Sequence, residues 1–296
     1  MKGLQPRRLA RLAFVAAFGT LAACTEVGNL GDPEVKQPTL APVTGLGLTL
    51  ENLPPPRRPI DIAVYSYEDK TGQQKPTEGF SSFSKAVTQG SEALLIDVLK
   101  DVSGSRWFNV VERVGIQNLL NERNLIDQTQ RSYRNTQRST LPPLRFAGII
   151  VEGGIINYDS NTMTSGAGAR LLNIGQSTEY RRDEVTVALR AVSVNTGEVL
   201  VSSTAEKVIY STLWRGEVFK FVSSSQILEL EGGFSRNEPV GLAVRQAIEL
   251  AVLSMIVEGA EKGLWSFASQ AEQRRVLKNY QQRFRQPRLI AAIRPS

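Results

Sequence analysis

Four residues near the start, Leu21-Ala22-Ala23-Cys24, constrain this chain more than any other feature. A basic stretch (Lys2, Arg7, Arg8, Arg11) precedes an apolar run from Leu12 to Ala23 that is too short and too rich in Ala to span a bilayer and stay there. Residues 1–23 therefore read as an export signal. The cysteine directly after the small-residue cut makes the tetrapeptide a lipobox. Its thiol takes a diacylglycerol, cleavage frees its amine for a further acyl chain, and several buried chains anchor stably where one would not. Thr25 follows in place of the Asp retention mark, which favours delivery to the outer membrane of a Gram-negative cell. The other reading of these residues is a plain secreted chain in which Cys24 is coincidental. Cys24 is also the only cysteine in the 296 residues, so no intramolecular disulfide and no cysteine metal site can form. The fold must be held by burial alone, and 41% hydrophobic content suffices for that.

The charge balance excludes one class of partner. The net +6 comes from 35 basic and 29 acidic residues, and the signal carries four of the basic ones, leaving 31 against 29. The stretch from Ala271 to Ser296 holds seven more (Arg274, Arg275, Lys278, Arg283, Arg285, Arg288, Arg294) against Glu272, so the body between is mildly acidic at 24 against 28. A nucleic-acid binder is basic where it is folded, so none is expected as a partner. Catalysis finds no more support. There is no histidine, the one thiol is acylated, and no paired-carboxylate motif, phosphate loop or nucleophile elbow is present. Gly166-Ala167-Gly168 is a lone glycine-loop fragment, better read as a flexible or tightly packed strand position. No enzymatic activity, cofactor or metal is expected.

Along the chain, Gly and Pro recur from residue 25 to Pro59 without a sustained helical period, so residues 24–59 read as an extended tether from the lipid anchor. Residues 60–156 read as an α/β domain: a strand at Ile60–Tyr67, a helix around Ala93–Leu99, a strand at Arg106–Glu112, a helix at Gly115–Ile126 and a buried strand at Phe146–Ile156. The polar run Asn124–Pro143 between the last two reads as a surface loop. Pro239–Leu264 is strongly apolar, but Arg245, Glu249 and Glu258 interrupt any membrane span, which favours a core or interprotomer helix within a helical continuation of the domain at 231–270. The basic tail 271–296 reads as a solvated helix end with a disordered finish, or as an arm touching a partner or an anionic surface.

Two segments, 157–194 and 201–230, do not suit a plain globular domain. Each is long, β-like and half apolar, with about the length of two membrane strands of roughly ten residues plus a turn. Val185, Val187, Leu189 and Ala191 alternate with Glu184, Thr186, Ala188 and Arg190; Val218, Lys220 and Val222 alternate with Phe219 and Phe221. Alternation at period two suits a wall between lipid and water, and it equally suits a sheet with one buried face.

The run Glu112-Arg113-Val114-Gly115-Ile116-Gln117-Asn118-Leu119-Leu120-Asn121-Glu122-Arg123, preceded by Arg106-Trp107-Phe108, closely resembles the curli assembly and transport family of outer-membrane lipoproteins. Further matches follow in order: Asp69 with Thr71-Gly72-Gln73, Val151-Glu152-Gly153, Ser165-Gly166 with Gly168-Ala169-Arg170, Asn195-Thr196-Gly197-Glu198, Asn237-Glu238-Pro239 and Lys262-Gly263-Leu264-Trp265. Val102-Ser103-Gly104, the detail of the Asn124–Pro143 region and the basic tail depart from the family pattern.

The resemblance implies an α/β periplasmic domain plus two amphipathic transmembrane β-hairpins per protomer, at 157–194 and 201–230, that build a shared oligomeric β-barrel. It implies a homo-oligomeric ring, a nonamer by resemblance, with four strands per chain and about 36 in all, a barrel that no single chain could close. Unfolded curli-type subunits would diffuse through it from the periplasm to the cell surface, with periplasmic cap and surface nucleation factors as accessory partners where they are encoded. The loop before the first helix would fold inward to form a constriction at residues 77–84. Here Phe83 matches the family's second aromatic, Ser82 stands at its amide position, and, with one extra residue in the loop, either Phe80 or a neighbour replaces the first aromatic. Phenylalanines with small polar neighbours narrow a pore without charge or sequence-specific hydrogen bonds; the bland alternative is that Phe80 and Phe83 pack beneath the loop. The runner-up function is a lipoprotein with a similar body that docks on and activates a cell-wall synthase without forming a pore.

Overall fold

The computed structural model describes residues 44–72, 90–134, 141–163, 180–214, 218–222 and 239–285. Six strands form one mixed sheet in the order β2-β1-β3-β4-β5-β6: β1 (Ile60–Asp69), β2 (Phe108–Val111), β3 (Ile149–Met163), β4 (Tyr180–Ser193), β5 (Val199–Trp214) and β6 (Val218–Val222). β1 pairs in parallel with both β2 and β3, as the intervening helical connections require, and β3 through β6 pair antiparallel in sequence order. The five helices are α1 (Gly45–Glu51), α2 (Ser91–Asp101), α3 (Ile116–Arg134), α4 (Pro239–Glu261) and α5 (Gln270–Phe284).

The core lies between the sheet and α4. Val185, Val187, Leu189 and Ala191 on β4, with Val201, Ala205 and Ile209 on β5, bury their side chains on one face, and α4 packs across both strands. α2 lies against β1 and β2, and α1 against α4. This decides between the two readings of the 185–191 alternation: these residues form the sheet's core face, so the lower part of 157–194 belongs to the body. α4 is long and apolar enough to cross a bilayer, yet it is mostly buried inside the fold, because elements surround it and each takes up part of its circumference. It ends in a Schellman motif. Gly263 takes φ +74°, Leu264 N–H donates to Gly259 O and Gly263 N–H to Ala260 O.

Three expected boundaries move. The tether expected to reach Pro59 stops earlier, since residues 44–59 are part of the body. Thr44 caps α1, Leu50 and Leu53 are buried, Trp107 Nε1 donates to Pro54 O, and Ala268 N–H donates to Pro55 O. A seven-residue helix is too short to show a period, and of the prolines that read as linker, Pro54 and Pro55 use their carbonyls as acceptors. The loop expected from Asn124 begins later, because α3 runs to Arg134; its Gln, Arg and Asn carry helix without an apolar stripe. The basic tail expected from residue 271 is a packed helix as far as Phe284. Ser269 caps it by accepting from Glu272 N–H, and it buries Tyr280 while Val276, Leu277 and Phe284 pack against the core.

β3 crosses the expected domain boundary between residues 156 and 157 without a break, although its pairing with β4 shifts register between Ile155 and Asn157. Just before that point, a Cβ on Gly153 would lie 2.0 Å from Ala188 O and one on Gly154 2.3 Å from Glu68 O. Backbone on both flanks occupies the space a side chain needs, so only glycine lets the three strands close up. Gly153→Ala should lower the unfolding free energy by about 3 kcal/mol or more, read from the urea midpoint at unchanged m.

Candidate functional site

The residues nominated from sequence, Cys24, Phe80, Ser82 and Phe83, lie outside the described residues. What the structure describes is the two ends of the 73–89 segment, to which Phe80, Ser82 and Phe83 belong. The two ends of the 73–89 segment are fastened side by side: Ser91 Oγ, at the start of α2, donates to Tyr67 O at 2.6 Å, and Asp69 Oδ1 accepts from Thr71 N–H and Oγ1 at the end of β1. Tyr67 is fully buried there, and burial pushes its phenol well above the usual tyrosine range. Lys70 N–H donates to Ile155 O, so the segment springs from the level at which β3 changes register.

At that level the sheet also changes character. The last β1 partner of β3 is Ile155, paired with Asp69. From Asn157 to Met163, β3 pairs with β4 alone, and β6 pairs with β5 alone. Among the described residues, the outer four-stranded unit β3-β4-β5-β6 thus has an unpaired edge at each end. Its seven-residue outer stretch of β3 rises roughly 23 Å at about 3.3 Å per residue. The face that is apolar alongside α4 turns polar as it rises: Tyr158 donates through its hydroxyl to Asp183 Oδ1 at 3.1 Å, and both are buried. Lys207 shares this face one pair further in, opposite Val185, and Arg182 pairs with Glu184 on the other face.

A second polar constellation ties α1 to α4. The Glu249 carboxylate, 1% exposed, accepts from the Thr44 hydroxyl and from Arg245 Nε at 3.1 Å. Arg245 also reaches Asp97 at 3.0 Å and Asp101 at 3.8 Å on α2. The Thr44 oxygen accepts from Gly47 N–H as well, so one hydroxyl both caps α1 and binds it to the core helix. Burial pushes the Glu249 carboxyl above the ordinary range, against the Thr44 hydrogen bond and the Arg245 charge; Asp101 is raised by burial and by Asp97. Sequence reasoning noted Arg245 and Glu249 only as interruptions of a span. Their i, i+4 spacing was the signal available. Because the folded state holds the Glu249 proton more tightly, its stabilising effect is full below the unfolded pKa and is lost as pH rises through the folded one. Glu249→Gln removes that dependence. The stability of this variant relative to the parent protein should therefore rise between pH 5 and pH 8 in urea titrations.

The model of the curli production assembly/transport component CsgG matches residues 47–284. The chain belongs to the CsgG family. It is 42% identical over 256 residues to the Citrobacter koseri curli production assembly/transport component CsgG, covering 85% of this chain and 91% of that one. With the Escherichia coli K12 protein of the same name it shares 41% over 264 residues, 88% of this chain and 93% of the relative. Among solved structures, a PelC dodecamer from Paraburkholderia phytofirmans aligns at 14% identity and TM-score 0.28, over 67% of this chain and 90% of that one, too distant to carry an argument. Membership of the CsgG family makes this chain a curli-related transport component, in a family of transport components and not of enzymes.

Proposed function

We propose that this chain is an outer-membrane secretion channel that exports unfolded curli-type subunits by diffusion through a homo-oligomeric pore. The edges of β3 beyond Ile155 and of β6, unpaired among the described residues, are the observation that carries this reading. In hydrocarbon an unpaired strand edge costs several kcal/mol for each unmet backbone group, and closure into a barrel is the only remedy. One protomer supplies four strands with two open edges. A ring in which β6 of one copy pairs with β3 of the next meets every edge, and nine copies would give about 36 strands.

Cys24 holds the assembly at the bilayer. The 20 residues from Cys24 to Thr44 reach at most about 70 Å when extended, ample for an anchor beside a body of this size. The 73–89 segment, springing from the base of the outer strands, is well placed to fold inward from each copy, with Phe80, Ser82 and Phe83 at the narrowest point. A ring of phenylalanyl and hydroxyl groups offers a passing chain weak apolar contact and nothing to retain a charge. Cap and nucleation factors would act at the two mouths, and export would draw on the concentration difference of unfolded substrate.

Single-channel recording of the lipidated protein in a planar bilayer tests this. A steady conductance is expected, and Phe83→Ala should raise it by widening the constriction. A lipidated, oligomeric protein that never conducts would instead favour a module docking on a cell-wall synthase.

A further inference from the structure

The described arginines divide sharply by partner. Arg106, Arg113 and Arg123 donate to carbonyls, while Arg131, Arg145, Arg182, Arg190, Arg245 and Arg285 are paired with carboxylates. Arg283 lies over the Phe284 ring. Arg57, Arg58, Arg274 and Arg275 have no side-chain hydrogen bond or ion pair among the described residues, and all four are exposed. They lie on two elements that meet. The strap before β1 is bonded to the segment before α5 through Arg57 N–H to Ser266 O and a bridge from Pro56 to Phe267. Arg57 and Arg274 line one cleft of about 540 Å³ between these elements, together with Ser266, Gln270 and Gln273. Lys278 stands one turn beyond Arg274 on the outer face of α5, opposite buried Tyr280.

Arginines left unpaired together hold a site of repulsion that a partner's carboxylates would relieve. The planar guanidinium fork takes a carboxylate bidentately, and the two forks of Arg57 and Arg274 in one cleft suit a chain bearing carboxylates at intervals. Position selects the source of the negative charge. Arg57 precedes Ile60, where β1 begins, and β1 is parallel to β3, so the cleft lies at the sheet end where β3 begins. From Ile149 to Ile156, the eight residues of β3 below the outer stretch rise roughly 26 Å at about 3.3 Å each. With the outer strands in the bilayer, a reading on which this step rests, lipid headgroups stand several Debye lengths away, each about 8 Å. We propose that the cleft between the 56–58 strap and α5 is a docking site for an acidic polypeptide segment arriving from the periplasmic side.

The test uses the full lipidated protein in detergent. A fluorescein-labelled peptide with eight glutamates spaced by Gly and Ser serves as the probe, followed by fluorescence anisotropy, and bilayer conductance is recorded on the same preparation. The parent protein should bind the glutamate peptide, with affinity falling steeply as salt rises, and should not bind its glutamine counterpart. Arg57→Ala with Arg274→Ala should weaken binding tenfold or more at an unchanged thermal midpoint, since both side chains are exposed. Arg123→Ala with Arg131→Ala, on α3, should leave binding unchanged. Equal binding by the Arg57/Arg274 variant, no binding by the parent protein, or displacement of the peptide by an equal concentration of short-chain phosphatidylglycerol would overturn the proposal. Peptide binding that depends on Arg57 and Arg274 in a protein that does not conduct would sustain the cleft while the channel reading fails.

Discussion

Below Ile155 both edges of β3 are hydrogen bonded, to β1 on one side and β4 on the other; above it, among the described residues, only the β4 edge is met. The rest of the molecule follows from that asymmetry. The lower half of the strand is the centre of an α/β body, closed by α4 and held tight through the glycine pair Gly153-Gly154. The upper half joins a four-stranded unit that, among the described residues, has an unpaired backbone edge at each end. An open strand edge is a liability in water and untenable in lipid.

α4 reconciles an apolar composition with a water-facing body. Its Leu, Val and Ile residues supply the cover for β4 and β5, while Arg245 and Glu249 sit on the side that meets α1 and α2. Burying such a pair is a poor route to stability, because desolvation offsets much of the attraction. What it does provide is position. Thr44, the first described residue after the stretch leading back to Cys24, has its hydroxyl committed to Glu249 and to the first turn of α1.

Much of this was legible beforehand and some was not, for identifiable reasons. The strands at Ile60 and Arg106 and the charged core helix after Pro239 declare themselves through β-branched runs and an apolar stretch bearing charges. The helix at 45–51 did not, since two turns carry no readable period and flanking prolines imitate a linker. The extension of α3 to Arg134 was hidden because its outer turns bury little, leaving propensity as the only signal. Tyr158 and Asp183, 25 residues apart, are joined by strand register that no local pattern encodes. Arg57, Arg58, Arg274 and Arg275 could be counted in the sequence, but their lack of partners among the described residues is a property of the folded surface.

The sequence by itself determined the family, through an ordered set of short matches spread over most of the chain, and Leu21-Ala22-Ala23-Cys24 set the expected address. Both are local codes, read residue by residue. Only the tertiary structure decided which half of an alternating strand faces a helix and which half has an open edge. Period two is the same against lipid and against a core, and the difference lies in what packs on the other side. Val185, Val187, Leu189 and Ala191 fit a membrane wall by pattern, and α4, more than 45 residues further along the chain, makes them core.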